Sequence, residues 1–415
     1  MDSVTQSGPV AAPPFTWIAS APDFSEMLAV LDGASRLAID IEADSLYHYF
    51  EKVCLIQIST DSATFVLDPL AVRDLGALGP ILSNADVEKV FHAASYDVFC
   101  LHRDYGFTFR NVFDTHIAAQ LLGLEQLGLS YLMETLLGVM HSKRRQRDDW
   151  SRRPLEPEQL IYAAMDTHHL LHIRDILETE LREKDRLSWA LEEFEAVSAV
   201  NDLQEREFDP QGFRKIKGNR SLTPQEQGTL RALYVLRDQF ARQMDVPPFK
   251  VMNNSVLLDL AQSPPRAARD LFHRAGISRR VARKFASEIY RTIEHARTQD
   301  PAFHEIPVRN HWKAPAVSER VRLENLKRWR QVKARELGIH VGVVFPGSFL
   351  ETLAAYPPAD LAGLERIPGI RRWRCAVFGN QILELLRTGR ADSEEEDVPA
   401  APGFRERHSE QNPGA

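Results

Sequence analysis

The stretch Leu37–Glu42 reads L-A-I-D-I-E and places two acids inside an otherwise apolar segment. In a β-strand, residues two apart point to the same face, so Asp40 and Glu42 project together while Ile39 and Ile41 project to the other side. Two neighbouring carboxylates repel each other, and in a half-buried setting they either take up a proton or hold a cation. The stretch therefore predicts either the polar face of an edge strand or a cation site built into a sheet.

The segments that follow have the pattern of a mixed sheet and then of helices. Short polar turns separate the first three strands, which predicts an antiparallel meander. Alternation of strand and helix then favours parallel additions to the same sheet, and helical periodicity predominates from residue 114. The predicted strands are 37–42, 53–60, 63–68, 87–92 and 111–113, and the predicted helices are 94–105, 115–122, 130–137 and 157–181.

Composition divides the chain into an α/β part and an all-helical part. A glycine-containing basic stretch predicts a linker, a Pro- and His-containing stretch separates two helical regions, and the acidic, proline-bearing end predicts disorder. The predicted segments are a disordered N-terminus (1–14), an α/β domain (15–207), a linker (208–222), a first helical domain (223–303), a connector (304–317), a second helical domain (318–391) and an acidic disordered tail (392–415).

The net charge of −7 conceals a strong asymmetry along the chain. Residues 211–390 carry 32 Lys+Arg and 16 Asp+Glu, whereas residues 1–210 carry 17 and 35. A basic module attached to an acidic one suggests that the basic part holds a polyanion, although a solvated basic face would give the same composition.

The cysteines and the N-terminus indicate a reducing compartment. Cys54, Cys100 and Cys375 are scattered without C-x-x-C spacing, which favours neither a zinc site nor a disulfide framework. The N-terminus has no basic region followed by an apolar one, and no run of about 18 apolar residues occurs. We therefore expect a cytoplasmic location, no membrane association and no obligate protein partner.

Two further acids and a tyrosine complete a constellation with Asp40 and Glu42. Asp97 lies at the start of a predicted helix, and Asp166 follows Tyr162 by four residues, so that both share one helical face. Ligand sets made only of oxygen suit Mg²⁺ or Mn²⁺, and two such ions can activate water and stabilise the leaving oxygen in phosphodiester hydrolysis. The constellation predicts two divalent metal ions, Mg²⁺ or Mn²⁺, as cofactors.

Three blocks of the sequence, A-I-D-I-E, H-A-A-S-Y-D and Y-A-A-M-D, resemble in order and spacing the motifs of the DEDD exonucleases, and Tyr162 marks the DEDDy subgroup. The stretches V-C-L-I-Q-I-S-T, V-F-D-T-H-I-A-A-Q-L-L-G and D-D-W-S-R-R-P-L resemble the ribonuclease D family more narrowly. The basic half resembles an HRDC domain around residues 236–261 and, less clearly, a second one around 323–387.

This resemblance implies a ribonuclease-H-like fold with a mixed five-stranded sheet, followed by two helical HRDC domains. It also implies that Asp40 bridges both metals, that Glu42 and Asp166 complete the first site, and that Asp97 holds the second. Tyr162 would orient the attacking water. The implied substrate is the 3′ end of RNA, with tRNA precursors and other small stable RNAs as partners.

Basic and aromatic residues outside the motifs are candidates for substrate binding, each with a structural alternative. His92 ends a strand and is also suited to a structural hydrogen bond; the loop before Tyr162 could be solvated, and the I-P-G-I turn could merely join helices. The tryptophan could stack a base or pack the loop. The candidates are His92, Lys143, Arg144, Arg145, Arg147, Trp150, Arg279, Arg280, Arg371 and Arg372, with Arg283, Lys284 and Arg374 adding charge.

The sequence therefore predicts a metal-dependent 3′-to-5′ exoribonuclease that releases mononucleotides. Two alternatives stay open at this stage. A DNA exonuclease would use the same chemistry, and a catalytically silent RNA-binding scaffold would keep the same fold. The four acids and the tyrosine are all present, which weighs against the scaffold.

Overall fold

A mixed six-stranded sheet forms the centre of the α/β domain in a computed structural model that describes residues 12–199, 208–299 and 317–388. The strand order is β1-β4-β3-β2-β5-β6. Strands β2, β3 and β4 form the predicted antiparallel meander, and β1, β5 and β6 each pair in parallel. The strands are β1 (Thr16–Ile18), β2 (Arg36–Ala43), β3 (Val53–Ser59), β4 (Thr64–Leu67), β5 (Glu88–Phe91) and β6 (Val112–Asp114).

The prediction of a five-stranded sheet is wrong by one strand, because β1 adds to the outer edge of β4. Its three residues pair in parallel with Phe65–Leu67. These three residues show no regular alternation, and no strand–helix alternation precedes them as it does the equally short β6. This strand forms because residues distant in the chain offer it an unpaired sheet edge.

Helices cover the sheet and bury its apolar side chains. The predicted single helix at 157–181 is in fact two helices, α6 and α7, which meet at His169. The sequence there contains neither glycine nor proline, so nothing local signals the break. The helices are α1 (Ala21–Asp32), α2 (Leu78–Ser83), α3 (Ser95–Tyr105), α4 (Thr115–Leu122), α5 (Leu129–Leu137), α6 (Pro157–His168), α7 (Leu170–Glu183) and α8 (Leu187–Ser198).

The first helical domain begins earlier than predicted, because the supposed linker belongs to its core. Phe213, Ile216 and Leu222 are buried among residues of the following helices, and short 3₁₀ turns occur at Gly212–Lys215 and Asn219–Ser221. The predicted linker is short and basic, so the spacing of its few apolar residues did not indicate that they are buried. The helices are α9 (Pro224–Met244), α10 (Pro248–Val251), α11 (Asn254–Gln262) and α12 (Arg279–Thr298), with a 3₁₀ turn at Ala268–His273.

The second helical domain packs around aromatic side chains. Trp329 meets Phe378 edge to face with ring centroids 5.6 Å apart, and Phe345 is fully buried. The helices are α13 (Val317–Leu337), α14 (Val341–Val344), α15 (Gly347–Ala355), α16 (Leu361–Glu365) and α17 (Arg372–Thr388). Most of the predicted disordered N-terminus (1–14), nearly all of the connector (304–317) and the whole acidic tail (392–415) lie outside the described residues.

Contacts divide the chain into two compact units. The α/β domain and the first helical domain belong to one unit, together with residues 337–343, and the remainder of the second helical domain forms the other. Within the described residues, no helix combines the length and the apolar character needed to cross a membrane.

Candidate active site

Strand β2 presents Asp40 and Glu42 at the centre of the sheet. Asp40 faces Gln57 across the antiparallel pairing with β3, and the register shifts just after Glu42. On the other side, β5 pairs with β2 only as far as Ala38. The half of β2 that carries the two acids therefore extends beyond the end of β5, which leaves room beside it for the start of α3. Gln57 is fully buried, and neither of its amide atoms has a hydrogen-bond partner among the described residues.

Helix α6 brings Asp166 to the same place. Ala163 and Ala164 are fully buried against the sheet, because their small side chains allow the helix to approach closely. One carboxylate oxygen from each of Asp40, Glu42 and Asp166 lies within 4.8 Å of the others. Of the residues that the structure describes, these form the one group of three or more with metal-ligand spacing.

Asp97 reaches the site from the first turn of α3. It is 7% exposed and lines the same cavity as the other three acids, and its buried Oδ2 has no hydrogen-bond partner within the described ranges. Asp114 is the N-cap of α4, and its side chain accepts bonds from the first turn of that helix and also from the backbone N–H groups of Ala93 and Ala94. This cap therefore also ties down the loop that begins α3.

Burial and mutual repulsion make this cluster unfavourable without a counter-charge. Burial is the largest cause that raises the pKa of Asp40, Glu42, Asp97 and Asp166. Repulsion from the neighbouring carboxylates raises the pKa of the first three further. Buried acids with an unpartnered oxygen and no sulfur or nitrogen ligand fit hard divalent cations such as Mg²⁺ or Mn²⁺. The residues present therefore match the predicted cofactors.

Tyr162 and His141 pack together beside Asp166. Burial, and after it the charge of Asp166, raise the pKa of the Tyr162 phenol well above its usual value, so the phenol is neutral at pH 7. His141 places Nε2 2.8 Å from Oδ1 of Asp166, and its ring stacks on that of Tyr162 with centroids 5.0 Å apart. Sequence reasoning missed His141, because a lone histidine in a loop carries no periodic or motif signal.

His92 makes a structural hydrogen bond, which was the alternative to a role in substrate binding. Its Nδ1 lies 2.9 Å from Oγ1 of Thr115, and its ring meets His116 edge to face. Burial lowers the pKa of His92 to about 3, so the ring is neutral. It also lines the cavity that holds the four acids. Substrate contact by His92 stays a prediction.

We call this space of about 390 Å³ the acidic cavity; besides the acids, it is lined by Ser45, Leu46, Lys143 and Gln146, among others. Of the basic residues predicted in the loop before α6, only Lys143 is among its lining residues. Arg145 pairs with Asp148 at 3.1 Å, and Arg144 and Arg147 do not line the cavity. Phosphate contact by these arginines stays a prediction.

The prediction that Trp150 binds substrate is wrong. Its side chain is 1% exposed and packs against Cys54, Leu55 and Ala163, under Tyr162. A ring enclosed in this way cannot stack on a base. Trp150 instead supports Tyr162 from the core side, with ring centroids 6.1 Å apart.

The basic residues of the two helical domains differ in accessibility. Arg279, Arg280, Arg283 and Lys284 are all exposed at the start of α12. In the second helical domain Arg372 is exposed and Arg371 is half-buried.

Arg374 does not add surface charge as predicted. It is 6% exposed, donates from Nε to the carbonyl of Val344 at 3.2 Å and covers the ring of Trp373. Arg374 therefore belongs to the core of its domain. Nucleic-acid contact by Arg279, Arg280, Arg371 and Arg372 stays a prediction.

Comparison with known proteins supports the same division of the chain. Residues 15–182 match the family model described as a 3′–5′ exonuclease, and residues 226–293 and 319–386 each match that of the HRDC domain. The crystal structure of Escherichia coli RNase D shares the fold, with a TM-score of 0.66 and 21% identity over 90% of this chain and 99% of that one.

Two curated relatives differ in how much of their length this chain spans. The Exosome complex component 10 homolog of Caenorhabditis elegans is 33% identical over 61% of this chain, but the match spans only 29% of that protein. The Ribonuclease D of Zymomonas mobilis is 31% identical over 363 residues, which span 86% of this chain and 90% of the relative. With a match to the exonuclease family model, two matches to the HRDC model and this relative covered over 90% of its length, the chain belongs to the ribonuclease D family of 3′–5′ exoribonucleases.

Proposed function

We propose that this protein is a metal-dependent exoribonuclease that releases mononucleotides from the 3′ end of RNA. The observation that carries the proposal is the convergence of Asp40, Glu42 and Asp166, with ligand oxygens within 4.8 Å of one another, beside the unpartnered Oδ2 of Asp97. Such a cluster of buried acids is stable only with a proton or a cation to neutralise it.

Asp40, Glu42, Asp97 and Asp166 would hold two divalent ions, which when bound supply charge neutralisation at the scissile phosphate and a lowered pKa for the attacking water. The protein's own groups provide position. Tyr162, neutral at pH 7, is suited to orienting water through its hydroxyl and not to removing a proton. His141 fixes the carboxylate of Asp166 through a 2.8 Å hydrogen bond.

The other lining residues suit the end of a nucleic acid strand. Lys143 supplies a positive charge for a phosphate, and Ser45 and Gln146 supply polar groups. Leu46 and Leu129 offer apolar surface for a base or a sugar. These contacts would position the terminal phosphodiester against the acids, which is how most of the rate enhancement in phosphoryl-transfer sites arises.

The substrates we propose are tRNA precursors and other small stable RNAs that require 3′ trimming. Support comes from the family and from the described function of the Escherichia coli relative, an exoribonuclease involved in structured RNA processing. The HRDC domains add exposed arginines and lysines that would hold the RNA backbone without reading its sequence.

The test uses single-stranded RNA and DNA of one sequence, labelled at either end and incubated with Mg²⁺, with Mn²⁺ or with EDTA. We expect mononucleotides from the 3′ end of RNA, and none with EDTA. A preference for DNA would support the alternative of a DNA exonuclease, and tight binding without cleavage would support a silent scaffold. A tRNA precursor with a 3′ extension, compared with unstructured RNA, tests the proposed substrate class.

A pair of variants separates the acids from a general effect of charge. Asp40→Asn should abolish cleavage and leave RNA binding intact, because it removes a ligand from the proposed metal site. Asp86→Asn, which changes an exposed acid in the loop before β5, is the matched control and should cleave at the wild-type rate. Full turnover by Asp40→Asn would refute the proposed site.

A further inference from the structure

A second cavity lies where the loop after β2 meets the first helical domain. It encloses about 490 Å³, within the range of roughly 300–1,000 Å³ that is usual for small-molecule sites. We call it the junction cavity. Its lining includes three aromatic residues, two basic residues and an amide, namely Tyr49, Phe208, Tyr234, Lys215, Arg237 and Asn254. Two acids, Asp209 and Asp238, also line it.

Hydrogen bonds from the helical domain hold Tyr49 in place. Its hydroxyl donates to Oδ1 of Asp238 at 2.7 Å and accepts from Nε of Arg242 at 2.8 Å. Its backbone N–H donates to Oδ1 of Asp245 at 3.0 Å. Asp238 is thereby occupied by Tyr49 and Arg242, so its charge is already compensated inside the cavity wall. The wall formed by Tyr49 is therefore rigid.

The aromatic wall on the helical side is also built closely. Phe208 and Tyr234 stack with ring centroids 5.4 Å apart and planes 22° from parallel. Gly212 permits this arrangement, because a Cβ at that position would lie 2.4 Å from the Tyr234 hydroxyl. Two stacked rings at the edge of a cavity offer a flat apolar surface of the kind on which bases stack.

Arg237 brings a buried cation with an unused donor to the same cavity. Its side chain is 7% exposed, and Nη1 donates to the carbonyl of Met252 at 3.1 Å and to Oδ1 of Asn254 at 2.8 Å. Its Nε is buried and has no partner among the residues that the structure describes. Lys215, which is exposed, adds a second cation to the lining. Asp238 contributes negative charge near this arginine, and the donor that is left unpaired favours a further anionic group.

We propose that the junction cavity binds one nucleotide, with its base against Tyr234 and Phe208 and its phosphate between Arg237 and Lys215. Leu46 lines the acidic cavity and Tyr49 lines the junction cavity, so the two lining residues are three positions apart in the chain and at most about 11 Å apart. The bound nucleotide can be part of an RNA, upstream of its 3′ end, and this possibility rests on the proposed function. A free mononucleotide, such as the released product, is the other.

The test measures binding to the full chain of two probes, a fluorescent single-stranded oligoadenylate and AMP. RNA binding is measured in the Asp40→Asn background, so that cleavage does not interfere. Tyr234→Leu removes the aromatic face and is paired with Tyr290→Leu, which changes a tyrosine packed against the same core but absent from the cavity lining. Lys215→Ala is paired with Lys217→Ala, an exposed lysine two residues further on.

If the nucleotide comes from RNA, Tyr234→Leu weakens oligoadenylate binding by about 10-fold, the effect of losing one stacked base. Lys215→Ala then reduces the slope of log affinity against log salt concentration by about one, which corresponds to the loss of one phosphate contact. If the source is a free mononucleotide, the same two variants lose AMP binding and keep that of RNA. In both cases the control variants bind like the parent protein.

The proposal is overturned if Tyr234→Leu and Lys215→Ala bind both probes as their controls do. Thermal unfolding of Tyr234→Leu beside Tyr290→Leu checks that the domain is folded. If Tyr234→Leu is unstable, Lys215→Ala still tests the proposal, because Lys215 is exposed and its replacement should not unfold the domain. Failure of the proposed function would show separately, as wild-type protein that does not cleave RNA. The AMP measurement would still report on the cavity in that case.

Discussion

Asp114 connects the start of α3 to the sheet, and its replacement tests how Asp97 is positioned. Its Oδ1 accepts from the N–H of Ala93 at 3.0 Å and its Oδ2 from that of Ala94 at 2.9 Å. The same carboxylate caps α4 by accepting from His116 and its neighbour. Four backbone donors, two just before α3 and two in the first turn of α4, therefore depend on one side chain.

The cost of losing this side chain follows from those four bonds. Loss of an N-cap costs about 1 kcal/mol. Each of the two further N–H groups left unsatisfied costs roughly 1–3 kcal/mol. Asp114→Ala would then destabilise the domain by about 3–7 kcal/mol, a large part of the usual 5–15 kcal/mol. Asp114→Asn keeps one acceptor oxygen but turns an amide NH₂ toward a donor, and we expect it to cost about 2 kcal/mol.

Asp114→Asn should lower the rate of RNA cleavage by more than its loss of stability alone would. Ala93 has φ of 64°, in the left-handed region, which costs a residue with a side chain about 1–2 kcal/mol. Asp114 holds it there, and in Asp114→Asn the loop can relax and displace Asp97, four residues further on. A misplacement of about 1 Å in a catalytic group lowers turnover roughly 100-fold.

The assays are urea unfolding of the full chain, hydrogen exchange of the Ala93 and Ala94 amides, and RNA cleavage with Mg²⁺. Ser20→Ala is the matched control, because Ser20 caps α1 in the same domain through a single backbone bond. It should cost about 1 kcal/mol and keep wild-type turnover. The reasoning is refuted if Asp114→Asn exchanges these two amides and cleaves RNA at wild-type rates.

Three further predictions follow from the acidic cavity and its support. Tyr162→Phe keeps the stacking on His141 but removes the hydroxyl. The rate of single-turnover cleavage should therefore fall by about 100-fold, whereas KM should stay within about twofold of the wild-type value. A rise in KM as large as the fall in rate would instead indicate that Tyr162 binds substrate. Asp40→Asn should unfold at higher urea than wild type in EDTA, because it removes one of several buried carboxylates, and should lose the stabilisation by Mn²⁺ that wild type shows; urea unfolding with EDTA and with Mn²⁺ measures both. Trp150→Ala should lower the free energy of unfolding by about 3–5 kcal/mol. At temperatures where the variant is folded, its affinity for RNA should match that of wild type. Weaker RNA binding at those temperatures would show that Trp150 does contact the substrate.

Local pattern in the sequence determined the main elements of the α/β domain. The two-residue repeat of a strand placed Asp40 and Glu42 on one face, and in the observed strand β2 their carboxylate oxygens do lie close together. The helical spacing that pairs Tyr162 with Asp166 also needs no distant contact. Both periods are properties of neighbouring residues, which is why they could be read directly.

Contacts between distant residues decided the rest. Strand β1, which no sequence pattern marked, forms because β4 offers an edge to it, and the 208–222 segment is core because helices that follow it provide a surface. Tertiary packing also buries Trp150 and brings His141 to Asp166. A sequence states which groups are charged, aromatic or apolar. Whether such a group faces water, a cavity or another side chain depends on chain segments tens of residues away, and only their packing together determines it.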